Sequence, residues 1–580
     1  LALLAVGLHR RDTMIRTFLV IFAILAVAAG GSSVARAQRD PYAVATFCTP
    51  YPIHTRPAIA VRNGAELQNA LDDAQAGDTI QLEAGATFRP PEGSFVLRNR
   101  SIPAGQWVVI RSSSRAFDPD GQIPPNQRVT PAAAKLMPQL RVSSQVPVIR
   151  TAAGARGYRL VGLDIGVDRG VNSTALVELG AGDDASSATQ PSDIVIDRSY
   201  LHGNDAGNFR RGIAINGSRL AIIESHLENF HDDSTDSQGI LGWNGPGPFK
   251  IVNNFLEAAS QSVMFGGNDP SIPGLVPADI EIRRNLMTRR LAWRETKKIP
   301  VKNAFELKSA RRVLVEGNVF ENVWTSGQDG TAIVLKSTNQ NGRCTHCVSE
   351  YVTFRNNIVR NAASGLLINA AEVGRPGAEM PERVNHIRVH NVLFLDIGSP
   401  QWGSGGKLFR IFGGASDISI QHVTSTSNPR GILDARDARD ANPNLVFGYN
   451  LVERRQYGIG AGGDEGVPTL SRNFPQSSYK HNVLVNTSAS TDQSISDSAL
   501  KAKYPAQTLV ARDWKEVSFE EGTYRLAAGS PFRGAGDDGK DLGVDWDELQ
   551  RAQSGPGGSA PCVETPERPP TARPRPRPRN

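Results

Sequence analysis

Apolar residues along this chain return in one short phrase. It reads IVIDRSYL at 194–201, LAIIESHL at 220–227, FKIVNNFL at 249–256, IEIRRNLM at 280–287, VLVEGNVF at 313–320 and VTFRNNIV at 352–359, with a looser copy, IRVHNVLF, at 387–394. First and third positions are apolar, which is the period-two pattern of a strand. The sixth position is Ser199, Ser225, Asn254, Asn285, Asn318 and Asn357, and two more apolar residues follow. Each phrase therefore predicts two short strands meeting at a polar corner. Further period-two runs lie between phrases, as in RGIAING, SVMFGG, NAFELKS, TAIVLKS and SGLLINA, while helical spacing is nearly absent. A phrase recurring every 26 to 39 residues, with several strands and no helix per repeat, predicts an all-β parallel β-helix. Stacked coils bring the sixth-position residues about 4.8 Å apart. An inward amide left alone costs about 1–3 kcal/mol, but a column of them can bond along itself.

The ends differ from the repeat. In NGAELQNALDDAQAGDTIQLEAG (63–85), Leu67, Ala70, Leu71 and Ala74 share one helical face before Gly77 and a strand from Thr79 to Leu82. Such an amphipathic helix suits the lid that an open solenoid end requires. The expected organisation is an N-terminal extension at 38–62, a cap with first coils at 63–150, the β-helix at 151–490, a Gly- and Asp-rich closing segment at 491–553 and a disordered Pro/Arg-rich tail at 554–580. Before these, Arg16, the apolar run Phe18 to Ala29 and Ala35-Arg36-Ala37 have the order of a secretory signal peptide. Residues 1–37 are read as upstream sequence plus that signal, cleaved near Ala37. The run is too short to span a bilayer, and no later stretch is a membrane helix. A secreted or periplasmic monomer is expected.

Charge changes the picture little. The net charge of +6 owes much to Arg568, Arg573, Arg575, Arg577 and Arg579 in the tail, so the body is close to neutral and nucleic acid is a poor partner. Four cysteines are too few for a disulfide scaffold. Cys344 and Cys347 are read as a small loop disulfide; Cys48 and Cys562, near the two ends, are left without an assigned partner.

The helix followed by AGDTIQLEAGATF, together with the Asn-ended strands, resembles the right-handed parallel β-helix proteins of the pectin-lyase-like superfamily over about residues 60–490. GWNGPGPFKIVNN, MFGGNDP and NAFELKSARRVLVEGNVFENVW look like exported bacterial β-helix proteins of unassigned activity. The resemblance implies a polysaccharide ligand, chiefly an acidic one. It implies no single activity, because lyases, hydrolases, epimerases and adhesins share the fold.

Enzymes of this shape work on the outer face of a sheet, so outward parity selects candidates. With Phe305 and Leu307 inward, Lys302, Glu306 and Lys308 point out, and one coil on Lys336 lies beside Lys308; Asn369 follows in the next coil. HDDSTDSQGILGWNG (231–245) adds His231, Asp232, Asp233, Asp236, Gln238, Trp243 and Asn244. β-Elimination on a uronate requires a base and a positive charge against the sugar carboxylate. Lys308 is the candidate base, flanked by Lys302 and Lys336, whose charges favour its neutral form. Glu306, or the Asp232, Asp233 and Asp236 group, is the candidate holder of Ca²⁺. Gln238, Trp243, Asn244 and Asn369 are candidate sugar contacts, Trp243 with Trp293 and Trp324 as a stacking floor or as buried aromatics. Lys308-Ser309 is similar to the ending that carries the catalytic lysine of alginate and dermatan lyases, but the arginine due one coil later is replaced by SGQDGTAI. Two alternatives stand beside the lyase. An aspartate pair would serve a glycoside hydrolase, although the Gly-His-Gly and Arg-Ile-Lys signatures of galacturonan hydrolases are missing; a charged ladder without chemistry would serve a glycan-binding adhesin.

Overall fold

The computed structural model describes residues 40–52, 56–296, 298–403, 405–427, 430–436, 440–487 and 495–554. The expected signal segment at 1–37, nearly all of the tail and Cys562 lie outside them. The chain from Val44 onward is one compact unit, a right-handed parallel β-helix whose coils each lay down three strands.

The repeat phrase fixes the register residue by residue. Its first positions pair in one continuous column, Ile194, Leu220, Phe249, Ile280, Val313, Val352, Ile387 and Ile418. Its second strand makes another, Leu201, Leu227, Leu256, Met287, Phe320, Val359 and Phe394. The runs between phrases make the third, Ile213, Ile240, Val263, Phe305, Ile333, Leu366, Phe409, Leu433 and Ile459. Members of all three columns are buried in one core. The first two stacks count as one sheet because Asn385–Ile397 turns the corner as a single strand, pairing with both Ser349–Arg355 and Ile358–Ala362. The third stack is a sheet of its own.

The corner between the first two stacks is built from the sixth position of the phrase. Asn285 Oδ1 accepts from Asn254 N and Nδ2 at 2.9 and 3.0 Å, Asn318 Oδ1 from Asn285 N and Nδ2 at 2.9 and 3.0 Å, and Asn357 Oδ1 from Asn318 N and Nδ2 at 2.8 and 3.0 Å. Nδ2 of Asn254, Asn285 and Asn318 also donates to a strand carbonyl, Ile222, Ile251 and Ile282 respectively. Where serine occupies the position the hydroxyl takes over part of this pattern, Ser225 Oγ accepting from Ser199 N at 3.1 Å. The residue before the corner adopts positive φ in every one of these coils: Arg198, Glu224, Asn253, Arg284, Gly317 and Asn356. Only one is glycine, and there a second cause operates. A Cβ on Gly317 would stand 2.4 Å from the carbonyl oxygen of Ala552.

Helix Gly64–Asp73 is capped by Asn63, whose side chain accepts from Glu66 N, and it buries Leu67 and Leu71 in the main core beside the first coils. At the other end helices Val467–Asn473 and Asp497–Ala502 contribute Leu470 and Leu500 to that core. The chain after 512 does something the sequence did not suggest: it runs back along the outer wall. Val544 and Leu549 pack on Leu393, Asp545 N donates to Asn391 Oδ1 at 2.7 Å, and Gln553 Nε2 reaches the carbonyls of Asn318 and Asn356.

Candidate functional site

The third sheet carries an outward row that pairs Met264, Glu306, Val334, Leu367, Arg410 and Asp434 across successive coils. Parity therefore places Glu306 outward, as the sequence indicates. Its environment is not that of a solvated face, since Glu306 is 1% exposed. Its Oε1 lies 3.0 Å from Lys336 Nζ, and its Oε2 accepts from Gln261 Nε2 at 2.7 Å and Asn303 Nδ2 at 3.1 Å. Lys336 Nζ reaches on to Glu372 at 2.8 Å, and Gln261 Oε1 accepts from Gln238 Nε2 at 3.2 Å. The result is a continuous polar chain across five coils: Gln238, Gln261, Glu306, Lys336, Glu372.

Burial raises the Glu306 carboxyl, but the charges of Lys336 and Lys308 and the bonds from Lys336 and Gln261 outweigh it, holding the group below the usual glutamate range. Burial likewise lowers the Lys336 ammonium, and Glu306 and Glu372 reverse that and hold it above the usual lysine range. Both groups are ionised at neutral pH, as a buried pair must be if neither partner is to stand alone. Lys308 adjoins this pair. It is half-buried, its N–H donates to Phe265 O at 2.8 Å, and its ammonium makes no ion pair among the described residues.

The other candidates sort differently. Lys302 pairs with Asp236 at 2.5 Å. The two lysines expected to act as bare charges beside Lys308 are thus each neutralised, Lys302 by Asp236 and Lys336 by Glu306 and Glu372. The three aspartates expected around Ca²⁺ also find separate partners. Asp232 Oδ1 accepts from Ser234 N, Ser234 Oγ and Thr235 N, closing its own loop; Asp233 accepts from Asn208 Nδ2 at 2.8 Å; Asp236 holds Lys302. Glu306 has its Oε2 filled by two amide N–H donors and its Oε1 turned to the Lys336 ammonium. Among the described residues no three His, Cys, Asp or Glu side chains gather to hold a metal, and the donor set does not fit Ca²⁺.

Trp243 is buried, donates from Nε1 to Gly182 O at 3.0 Å and lies under the Arg211 guanidinium, packing on Ala214, Leu241 and Met264. Trp293 and Trp324 are buried in a different cluster with Trp402. The stacking floor is thereby corrected to two packed aromatic groups, because loops fold over each ring. Asn244 is wholly buried and ties loops together, accepting from Ser271 and Ile272 N and donating to Asp184 O. Asn369 is half-buried beside Glu372 at 3.4 Å. His231 stacks edge-on to Trp293, and burial lowers its pKa. Cys344 and Cys347 form a disulfide that closes the loop between two strands.

Sequence reasoning missed Gln261, Asn303 and Glu372. Gln261 had a signal: Ser237-Gln238 and Ser260-Gln261 open successive strands, and each serine hydroxyl accepts from the other's N–H. Glu372 had none, because a register shift between Lys336 and Thr338 moves it into reach.

No protein-family model matches the chain, and no curated protein sequence matches it. Solved structures do. The PL6 family alginate lyase AlyGC aligns at a TM-score of 0.50 and 14% identity, over 84% of this chain and 59% of its own, so this chain spans about three fifths of that protein. A mannuronic acid specific polysaccharide family 6 lyase from human gut microbiota aligns at 0.46 and 10% identity, over 78% of this chain and 91% of its own. The Dettilon tailspike protein aligns at 0.36 and 12%, over 61% and 62%. At these identities the shared property is the fold, a right-handed parallel β-helix.

Proposed function

We propose that this chain is an exported polysaccharide lyase-like enzyme of acidic glycans, working on the outer face of the third sheet. The observation that carries the reading is Lys308, an amine with no ion pair among the described residues, beside the buried, ionised Glu306–Lys336 pair, from which Lys336 reaches on to half-buried Glu372. In its neutral form Lys308 takes the proton from the sugar carbon next to the uronate carboxylate. The electron pair left behind becomes a C=C bond, the glycosidic C–O bond breaks, and the departing oxygen takes a proton from water and leaves as a hydroxyl. Lys302 supplies the charge against the substrate carboxylate: its partner Asp236 is more than a third exposed, and such a pair is weak enough to exchange. The Glu306 array fixes the strand Phe305–Leu307, which the two lysines flank. Likeness in fold to alginate lyases agrees with this assignment of class without specifying the sugar.

A non-catalytic glycan-binding protein is the second reading, favoured by the fact that every candidate but Lys308 already has a partner. One experiment separates them. Alginate, polygalacturonate and dermatan are incubated with the protein while ultraviolet absorbance of unsaturated uronate is followed. The lyase reading expects product from at least one polymer and its loss, by a factor of at least about 10², in Lys308→Ala with glycan binding retained. Binding without absorbance across the panel establishes the adhesin instead, and reducing ends without absorbance would indicate hydrolysis.

A further inference from the structure

The outward row that carries Glu306 continues for four coils, through Val334, Leu367 and Arg410 to Asp434. At strand spacing that is about 19 Å along the same face. There the wall opens into a cavity of about 1000 Å³, at the upper end of the range for small-molecule sites. Gly431, Gly458 and Gly460 line it together with charged side chains.

Those charges do not balance. Lys407 is paired with Asp434, and Arg454 and Lys503 both hold Glu465, at 2.8 Å each. Asp464 is held by Arg472 at 2.6 Å. The remaining lining cation is Arg430, which is exposed and has no ion-pair partner among the described residues. Apolar surface is out of place here too. Tyr457 and Val467, 49% and 43% exposed, are among the few large apolar side chains left open to solvent in the described residues, and both line this cavity.

An exposed aromatic ring, a guanidinium with no ion pair among the described residues and a polar, glycine-lined hollow together match a pyranose bearing a carboxylate. The C–H face of the sugar covers the ring, the carboxylate takes a bidentate bond from arginine, and the hydroxyls meet backbone and paired side chains. We propose that this cavity is a distal subsite for an oligouronate chain, with Tyr457 as stacking platform and Arg430 as carboxylate anchor, holding the polymer several sugar units from Lys308. The proposal rests on the reading of the third-sheet face as a glycan surface and adds a second point of attachment to it. Its consequence is length dependence, since only oligomers long enough to cover the row from Glu306 to Asp434 reach both points and gain effective concentration at the second.

The test titrates size-fractionated oligomers of alginate, polygalacturonate and dermatan against the full chain carrying Lys308→Ala, so that ligand is not consumed, and then against the same chain with Tyr457→Ala, Tyr457→Phe or Arg430→Gln. Affinity for at least one series is expected to rise about tenfold once the oligomer spans the row. That gain is lost with Tyr457→Ala and Arg430→Gln, kept with Tyr457→Phe, and absent for neutral cello-oligomers. A gain surviving both loss variants with unchanged melting, an equal gain for neutral oligomers, or no oligouronate binding at all would overturn the proposal. Cleavage by the unsubstituted protein is scored separately. Loss of the length-dependent gain in a protein that cleaves nothing removes the lyase reading and leaves the subsite; cleavage with the gain unaffected removes the subsite and leaves the lyase.

Discussion

Two buried polar columns run along this β-helix, and they are built on opposite plans. The inner column, Asn254, Asn285, Asn318 and Asn357, repeats one neutral side chain that both donates and accepts, so each rung is satisfied by an identical neighbour. The outer column, Gln261, Glu306, Lys336 and Glu372, changes chemistry at every rung, because an ionised carboxylate only accepts and an ammonium only donates. The inner plan can be extended to any number of coils. The outer plan works only in this order, at this place, which marks it as local and specific. A purely structural device would gain nothing from charges whose desolvation offsets most of their attraction.

That contrast can be broken most forcefully at Lys336. Lys336→Met strips Glu306 of its cation and leaves a charge with 1% exposure, so unfolding in urea should show a loss of about 3–5 kcal/mol. Adding Glu306→Gln should restore a large part, since no bare charge then remains. If the single substitution costs under about 1 kcal/mol, the outer column is not a tightly coupled network.

At the inner column Asn318→Ala removes the acceptor of Asn285 and the donor to Asn357, and should cost about 2 kcal/mol in the same measurement. Substituting serine should cost less, because serine already serves the position at 199 and 225. Gly317→Ala tests the backbone beside it. Positive φ and the Ala552 carbonyl predict a loss of about 1 kcal/mol or more, and deleting the helix Trp546–Ser554 should reduce that loss to the cost of φ alone.

The subtlest test uses pH. Glu306 is held below its ordinary value of 4.5, so its contribution is present above that value and fades as pH falls through the depressed folded pKa. Glu224, buried at the first-stack corner with Asp197 close by, is pushed the other way, up to about 7. The folded state then holds the extra proton, and stability should decline as pH rises from about 4.5 to about 7. Glu224→Gln should flatten that upper slope and Glu306→Gln, made together with Lys336→Met, the lower one, both read from denaturation midpoints across pH. Slopes of equal sign would contradict the two assignments.

How much was legible follows from the same contrast. The first positions of the repeat phrase are the residues that pair in the structure, from Ile194 to Ile387, because a one-residue slip would turn every apolar side chain outward. Parity likewise placed Glu306 on the outer face. It gave no sign that the residue would be buried there, since covering depends on Gln261 from the coil before and Asn303 from a loop. Trp243 and Asn244 misled for the same reason. Their type suits a sugar site, but Gly182 O and Asp184 O, some sixty residues earlier, occupy them.

By itself, then, the order of residues determined the coil: period-two burial and a corner amide that bonds its own copy are conditions each repeat satisfies with its immediate neighbours, so a local pattern suffices to state them. The tertiary structure alone decided which polar groups are spent on one another and which, among the described residues, form no ion pair, Lys308 and Arg430 among them. Hydrogen bonds and ion pairs saturate, and whether a given side chain is already taken depends on loops that reach it from distant parts of the chain.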